Sequence, residues 1–356
     1  MKILYFLSGT GVGGIGKFVK DIVSHMPAEV NFTFVTLGNP NSDLSLFLKE
    51  HGKVLNYPRW GRKVLRGLKN ELKVNHYDIV HAHLGCWSFI CLYFAMRAGV
   101  KRRIAHSHSA DNFKTLNKTG KLIFLISRIA NPLVVTDYMA CSDHACAETF
   151  GKKVLKMDRY YRVLNPVDER YFEKATHDVR EELEIPKSSR VVCHVGYMGY
   201  HKNHLFILEL AEELKDEDVY WLLVGDGHFR KQFEVAASEK HLDKVIFLGI
   251  RNDVPDILKA SNLFILPSLL EGLGTVVLEA QACGLPCIIS ENVTEETDMG
   301  LGLVKKIPLY AKREWKNEIL LNNIKIHTDI IKQKFVNEKV EINSCSKNLL
   351  KIYTIK

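Results

Sequence analysis

The sequence predicts an α/β protein made of two doubly wound domains, each built on a parallel sheet. Short apolar runs of strand length alternate with segments of helical periodicity through most of the chain, which is the pattern of repeated βαβ units. A polar stretch interrupts this alternation near the middle of the chain. The length of 356 residues also favours two domains, because single domains usually hold about 100–200 residues.

Ten apolar runs are the candidate strands. The first five are Ile3–Leu7, Phe32–Thr36, Ile79–His83, Arg103–His106 and Tyr138–Cys141. The second five are Val191–Val195, Trp221–Val224, Val245–Leu248, Leu263–Leu266 and Pro286–Ser290. Segments with helical periodicity lie between them, for example Phe206–Leu214 and Phe229–Glu239. Strands that are separated by helices pair in parallel, so two parallel sheets are expected.

The break between the domains falls after the segment Asn165–Phe172, where a polar stretch precedes a fresh strand at Val191. The predicted organisation is an N-terminal domain over residues 1–170 and a C-terminal domain over residues 171–335. We expect residues 336–356 to form a C-terminal helix that packs back on the N-terminal domain.

Neither a membrane span nor secretion is expected. The longest nearly uncharged apolar run, Leu84–Met96, is shorter than the ~20 residues that cross a bilayer. The apolar stretch after Lys2 is shorter than the ~7–15-residue core of a signal peptide, so a first strand explains it better. Eight cysteines occur without a CxxC pair, which favours buried thiols over disulfides or zinc ligands. These features predict a cytoplasmic protein.

Positive charge is concentrated in the N-terminal half. Residues 1–170 hold 25 lysines and arginines against 13 acidic residues, whereas residues 171–356 hold 24 against 28. This asymmetry indicates that the N-terminal half faces something anionic. Nucleic acid is not the expected partner, because the basic excess comes without a recognised motif or interleaved aromatic residues.

The segment Arg62–Lys73 is the clearest basic amphipathic pattern in this half. Its apolar residues fall on one helical stripe with cations around it, namely Val64, Leu65, Leu68 and Leu72. Two interpretations stay open: a helix that lies on an anionic membrane surface, and an ordinary surface helix with a solvated face.

A glycine-rich loop follows the first predicted strand, and several interpretations fit it. Gly9, Gly11 and Gly14 match the GxGxxG dinucleotide fingerprint, but the second strand ends without the acidic residue that would bind ribose. Gly11–Lys17 matches the P-loop spacing, but Phe18 stands where Ser or Thr would hold magnesium. A purely structural turn is a further alternative. The favoured interpretation is a turn that lets a helix N-terminus approach a phosphate or sugar.

The segment after the predicted strand Leu263–Leu266 carries the strongest chemical pattern. Glu271 lies in the loop that follows the strand, and Gly274 lies in a glycine turn. A helix begins near Thr275, with Glu279 about one turn inside it. Ligands of open parallel sheets bind outside the carboxyl ends of the strands. Amides at the start of this helix suit a diphosphate, and each carboxylate suits a vicinal diol of a ribose or sugar.

Glu271 and Glu279 are separated by seven residues, which resembles the E-x7-E motif of retaining GT-B glycosyltransferases, especially glycosyltransferase family four. In the C-terminal half, VGYMGYHKNHLFILELA, LLVGDGHFRKQF and VIFLGIRNDVPDILKASNLFILPS are also similar to that family. In the N-terminal half, the similar segments are TGVGGIGKFV, YDIVHAHLG, RIAHSHS and VLNPVDERYF. KNH at Lys202–His204 and the segment GLPCIIS resemble the branch that builds capsular and exopolysaccharides.

The resemblance implies a GT-B fold, in which two Rossmann-like domains face a cleft. It also implies transfer of a sugar from a nucleotide diphosphate sugar, with a UDP-sugar as the expected donor, and retention at the anomeric carbon. No cofactor and no bound metal are implied. The expected acceptor is a lipid-linked saccharide at the inner membrane surface, where the basic N-terminal domain would make a peripheral contact.

The family's functional residues carry over to matching positions of this sequence. The implied catalytic residues are Lys202 at the diphosphate, Glu271 at the hydroxyls of the transferred sugar, and His108 at the same sugar. The implied donor-binding residues are Gly13, Gly14, Gly16, Gly274 and Thr275 at the phosphates, Arg251 to Val254 near the base, and Glu279 at the ribose hydroxyls.

One position departs from the family. Tyr197 stands five residues before Lys202, where the family commonly has an arginine. A tyrosine supplies no cation for the charge that develops on the leaving diphosphate. Three outcomes stay open: another cation among His201, His204 and Arg251 takes over, turnover is slow, or the protein binds sugar nucleotides with impaired catalysis.

Two other chemistries are weaker alternatives. The pairs His81/His83 and His106/His108 each share a face at a strand end, as metal ligands can, but no carboxylate accompanies them. Histidines of the core or of a cleft are therefore favoured. A glycosidase places two carboxylates about 5–9.5 Å apart across the scissile bond. The glycine turn between the two glutamates fits donor binding better.

Overall fold

Apolar runs with few charges form the strands of two separate parallel sheets. The computed structural model describes residues 1–9, 14–108, 118–322, 324 and 326–355. They divide into a first unit of Met1–Pro166 with Ile342–Lys356 and a second unit of Val167–Glu341. The predicted α/β class with two doubly wound sheets is confirmed.

The sheet of the first unit has seven parallel strands in the order β3-β2-β1-β4-β5-β6-β7. They are β1 (Lys2–Leu7), β2 (Asn31–Leu37), β3 (Gly52–Tyr57), β4 (Ile79–His83), β5 (Arg102–Ser107), β6 (Asp137–Ala140) and β7 (Tyr160–Arg162). The central strands are buried almost throughout, because helices cover both faces of a sheet of this kind.

Six helices connect these strands: α1 (Gly14–Ser24), α2 (Asp43–His51), α3 (Arg62–Val74), α4 (Ser88–Arg97), α5 (Lys118–Val134) and α6 (Asp143–Thr149). Serine caps fix the starts of two of them. The Ser42 hydroxyl accepts the amide of Ser45 at α2, and the Ser142 hydroxyl accepts the amide of Ala145 at α6.

The sheet of the second unit has six parallel strands in the order β10-β9-β8-β11-β12-β13. They are β8 (Arg190–Val195), β9 (Val219–Val224), β10 (Val245–Gly249), β11 (Leu263–Leu266), β12 (Cys287–Ser290) and β13 (Val304–Ile307). The sheet order reverses between β8 and β11, so these neighbouring strands form a topological switch point.

The helices of the second unit are α7 (Val179–Glu182), α8 (His204–Glu213), α9 (Arg230–Glu239), α10 (Val254–Ala260), α11 (Thr275–Ala282), α12 (Lys312–Leu321) and α13 (Thr328–Asn337). The last helix of the chain, α14 (Ile342–Thr354), belongs to the first unit. Its side chains Leu349 and Tyr353 are buried in the same core cluster as Phe18 of α1. The guanidinium of Arg102 on β5 donates to the carbonyl of Ile352.

Each of the ten predicted strands is present, and the sequence prediction missed three others. The missed strands are β3, which is only partly buried, β7, which has three residues, and β13, which carries two lysines. None of them shows the continuous apolar run by which the other ten were found. The eight cysteines are thiols, seven of them buried and Cys283 partly exposed, as predicted.

Two observations bear on the membrane expectation. Within the described part of the chain, no helix is both long and apolar enough to cross a bilayer. The apolar stripe of α3 faces the protein, since Val64, Leu68 and Leu72 are buried. The cations of α3 remain on its outer face.

Candidate functional site

Two loops of the second unit meet at the carboxyl ends of β8 and β11. A short 3-10 turn, Tyr200–Lys202, follows β8, and the loop that contains Glu271 follows β11. The amide of Leu269 donates to the carbonyl of His201 at 2.8 Å, which holds the two loops together. The switch point therefore brings side chains that are far apart in the sequence into one place.

Lys202 and Glu271 form an ion pair at this point. The ammonium of Lys202 donates to Oε1 of Glu271, and the hydroxyl of Ser268 donates to the same oxygen at 2.8 Å. Only 20% of the Lys202 side chain and 11% of the Glu271 side chain are exposed. A Cβ at Gly196 would lie 3.2 Å from Cε of Lys202, so the glycine leaves room for the lysine. A partly desolvated ammonium beside a carboxylate can hold both a phosphate and a hydroxyl group.

The start of α11 lies in the same loop region. Gly274 precedes the helix with φ of +72°, a left-handed conformation that favours glycine. A Cβ at this position would also lie 3.3 Å from Cδ2 of Leu266. The helix then begins at Thr275, and its first-turn amides carry the partial positive charge of a helix N-terminus. Such an end suits an anionic ligand.

Glu279 is buried in α11, with 4% of the residue exposed. The side chain of Tyr171 hydrogen-bonds to its carboxylate. Burial, followed by the charge of Glu279, raises the pKa of Tyr171, so the phenol stays protonated and donates to the carboxylate. Tyr171 lies at the end of the short turn Glu169–Tyr171, and sequence reasoning missed it. The only sequence signal for Tyr171 was its position in VLNPVDERYF, a segment similar to glycosyltransferase family four.

Arg251 and Val254 lie on the loop after β10, where Val254 begins α10. The guanidinium of Arg251 donates to Asp253 at 2.6 and 2.7 Å and to Glu182 at 2.7 and 2.9 Å. These hydrogen bonds, first to Asp253 and then to Glu182, raise the pKa of Arg251. Because two carboxylates already compensate its charge, Arg251 is poorly suited to replace a missing phosphate-binding cation.

Tyr197 occupies the loop after β8 and is half exposed. Its ring lies edge-on to His228, with the ring centroids 5.9 Å apart. His204 is fully buried against Phe233, and burial, together with the charge of Lys202, lowers the pKa of His204 to about 4. A neutral His204 supplies no cation at neutral pH. Three residues were considered as substitutes for the missing arginine. Because Arg251 is paired with two carboxylates and His204 is neutral, exposed His201 remains as the candidate cation.

His108 belongs to a cluster of four histidines in the first unit. His83 Nδ1 and His108 Nε2 are hydrogen-bonded at 2.8 Å, and His81 Nε2 and His106 Nδ1 at 3.1 Å. His81 Nδ1 lies 2.7 Å from the hydroxyl of Tyr353, which ties the cluster to α14. Nitrogens of His81, His83 and His106 lie within 4.8 Å of one another. The rings of His81 and His106 are nearly parallel, at 9°, and their facing nitrogens already bond each other.

The surrounding protein keeps these histidines neutral. Burial lowers the pKa of His108 to about 3, although a hydrogen bond to the side chain of Asn165 opposes the shift. Burial and the neighbouring rings also lower the pKa values of His81, His83 and His106 well below the ordinary value. Neutral imidazoles can accept a hydrogen bond from a hydroxyl or donate one to it.

The three glycines predicted at the phosphates follow β1. Gly13 lies outside the described residues, Gly14 is the first residue of α1, and Gly16 is buried within that helix. Among the described residues, no atom lies within 4 Å of a Cβ built at Gly14. The structure thus brings Lys202 and Glu271 into contact. It leaves the binding roles assigned to the glycines as predictions.

Comparisons with known proteins relate the chain to glycosyltransferases. The family model described as "Glycosyl transferases group 1" matches residues 176–297. The chain is 32% identical over 321 residues to the putative glycosyltransferase EpsF of Bacillus subtilis, with 86% of this chain and 84% of the relative covered. It is 31% identical over 285 residues to the UDP-Gal:alpha-D-GlcNAc-diphosphoundecaprenol alpha-1,3-galactosyltransferase of Escherichia coli, with 72% and 73% covered.

Solved structures share the fold of the whole chain. The crystal structure of Anabaena Alr3699/HepE in complex with UDP matches with a TM-score of 0.81 and 16% identity, and the match covers 99% of both chains.

The histidine cluster predicts a specific pH dependence of stability. Folded histidines with lowered pKa values stay neutral, whereas the unfolded chain binds protons near pH 6.5. The free energy of unfolding is therefore highest above about pH 6.5. It falls as the pH decreases below this value, by up to about 1.4 kcal/mol per pH unit for each histidine. Urea unfolding between pH 7.5 and 5 measures this slope. His106→Gln should reduce the slope of the unfolding free energy against pH, whereas His76→Gln, at an exposed position, should leave it unchanged. Equal slopes in the two variants would contradict the role of the histidine cluster.

The Tyr171 contact predicts a loss of stability when its hydroxyl is removed. Tyr171→Phe leaves the buried Glu279 carboxylate without this donor, which costs about 1.5–3 kcal/mol for a hydrogen bond to a charged group. Tyr310→Phe is the matched control, because Tyr310 is 88% exposed. Urea unfolding of the two variants and the wild type measures the difference. Equal unfolding free energies in all three proteins would rule out an energetic role for the contact.

Proposed function

Because the chain belongs to the group 1 glycosyltransferases, we propose that it transfers a sugar from a UDP-sugar to a saccharide acceptor, with retention at the anomeric carbon. The observation that carries the proposal is the Lys202–Glu271 pair beside the N-terminus of α11. One similar structure holds UDP and one relative is named for a UDP-galactose donor, which supports the choice of UDP.

Lys202 and α11 would hold the diphosphate of the donor. The Lys202 ammonium is bonded to Glu271, and a phosphate oxygen of the donor would become its second partner. Negative charge grows on the diphosphate as the bond from its oxygen to the anomeric carbon breaks. The ammonium and the amides near Gly274 and Thr275 stabilise that charge without reorganising, since the fold already fixes them. The proposal needs no metal ion.

The remaining residues would orient the two ends of the donor. Glu271 would accept hydroxyl groups of the transferred sugar, and Glu279, held by Tyr171, would accept those of the ribose. The loop from Arg251 to Val254 would lie near the base. The resemblance to the family also assigns His108 to the transferred sugar. The leaving phosphate itself would take the proton of the acceptor hydroxyl.

We propose a lipid-linked saccharide as the acceptor, in the synthesis of a capsular, exopolysaccharide or other surface glycan. The Escherichia coli relative is named for a diphosphoundecaprenol-linked acceptor, which supports a substrate anchored in a membrane. The excess of cations in residues 1–170 is consistent with a protein that works at the anionic inner face of a membrane.

A second candidate is a relative that binds sugar nucleotides but transfers the sugar slowly. Tyr197 favours this alternative, because it stands where a cation would stabilise the leaving diphosphate. Paired Arg251 and neutral His204 do not make up the loss. Both candidates need the same donor site, so donor binding is tested before turnover.

Calorimetry with UDP tests the donor site. Lys202→Met removes the ammonium, and the loss of a charge-assisted hydrogen bond of about 1.5–3 kcal/mol raises the dissociation constant roughly 10- to 150-fold. Lys187→Met is the control, since Lys187 is exposed on the connection before β8. Its affinity for UDP should stay within about twofold of the wild type.

Equal affinity of both variants for UDP would contradict the assignment of Lys202. If UDP binds as expected, incubation with UDP-sugars and a diphosphate-lipid saccharide separates the two candidates by turnover. NMR of the anomeric proton of the product then checks retention, and an inverted product contradicts that part of the proposal.

A further inference from the structure

Helix α5 of the first unit presents an apolar face to the surroundings. Five large aliphatic side chains on this helix are between 45% and 74% exposed: Leu122, Leu125, Ile126, Ile129 and Leu133. They recur at intervals of one to four residues, so they form one continuous stripe along the helix. Isolated exposed aliphatic residues are ordinary, but a contiguous patch of this kind marks an interaction site.

The orientation of α5 is fixed by polar contacts on its inner face. Its buried residues include Ser127 and Asn131, and the side-chain amide of Asn131 donates to the carbonyl of Cys86 at 3.2 Å. A surface helix of a globular protein normally turns its apolar side inward and its polar side outward. Here part of the polar side is inward and most of the aliphatic side is outward, so packing within the unit does not explain the outer stripe.

The charges of α5 itself all have one sign. Helix α5 contains no acidic residue, and its charged residues are Lys118, Lys121 and Arg128. Helix α4 packs against both α5 and α3, so the three helices form one layer of the unit. The outer face of α3 adds the exposed cations Arg62, Lys63, Arg66, Lys69 and Lys73. An aliphatic stripe bordered by cations is complementary to a bilayer that contains anionic lipids.

We propose that the outer face of α5 is a membrane-docking surface, whose aliphatic side chains enter the interfacial region of an anionic bilayer. The cations of α5 and α3 then contact lipid headgroups. The inference rests on the proposed function, because an enzyme whose acceptor is anchored in a membrane must work at the membrane surface. It assigns insertion to α5, since the apolar stripe of α3 is buried and α3 can contribute only charge.

A second copy of the chain is a less suitable partner for this face. A twofold dimer through α5 would bring the stripe and its cations against the same stripe and the same cations. No carboxylate of α5 is available to compensate them. An anionic lipid surface supplies the opposite charge at its headgroups and an apolar region directly beneath them.

Cosedimentation with lipid vesicles tests the proposal. The wild type should bind vesicles of phosphatidylglycerol and phosphatidylcholine and bind pure phosphatidylcholine more weakly. Ile129→Gln combined with Leu133→Gln should lower the partition coefficient for the anionic vesicles roughly 10- to 100-fold. Both side chains are more than 70% exposed, at 74% and 72%, so the double variant should fold normally.

The control is the pair Leu321→Gln and Ile330→Gln in the second unit, where the same residue types are 74% and 59% exposed. This variant should partition like the wild type. Equal partitioning of the α5 variant, or no binding of the wild type to anionic vesicles, overturns the proposal. A wild-type dimer that the α5 variant dissociates also overturns it, in favour of self-association, and analytical ultracentrifugation measures this.

UDP binding separates this inference from the proposed function. The α5 variant should bind UDP with the affinity of the wild type, because none of the residues assigned to the donor lies on α5. If the wild type binds vesicles through α5 but does not bind UDP, the proposed function fails and the docking surface stands. If it binds UDP but not vesicles, the docking surface fails alone.

Discussion

Parallel strands place all their carboxyl ends at one edge of a sheet, and both units depend on this constraint. In the second unit the sheet order reverses between β8 and β11, so the loops after these two strands lie side by side. Lys202 and Glu271, which are 69 residues apart in the sequence, come from these loops and form an ion pair. In the first unit the reversal falls between β1 and β4, and the histidine cluster is built from β4, its neighbour β5 and the residue that follows β5.

The Lys202–Glu271 pair explains how the fold keeps a cation in a partly buried site. An unpaired charge that is withdrawn from water is costly, and breaking a buried pair by removing one partner is strongly destabilising. Glu271 therefore compensates the charge of Lys202, and the Ser268 hydroxyl donates to the same carboxylate. The helix N-terminus at Gly274 adds partial positive charge from the backbone. Arg251 is compensated by two carboxylates instead, so it cannot play the same part.

Local patterns were sufficient for the fold and for the loop and helix that follow β11, but not for the partners of the residues in them. Continuous apolar runs located ten strands, and the glycine turn at Gly274 located the start of α11. Tyr171 and Tyr353 were missed, because each meets its partner across a long stretch of sequence. The amphipathic pattern of α3 was real, but only the packing shows that its apolar side is buried while the aliphatic side of α5 is exposed.

We propose that the switch point of the second unit is an anion site, where a donor diphosphate joins Glu271 as a partner of Lys202. A crystal structure of the protein with UDP tests this most directly. We expect phosphate oxygens within about 2.7–3.2 Å of the Lys202 ammonium and of first-turn amides of α11, with the ribose at Glu279. UDP bound elsewhere, with Lys202 still bonded to Glu271 alone, would contradict it.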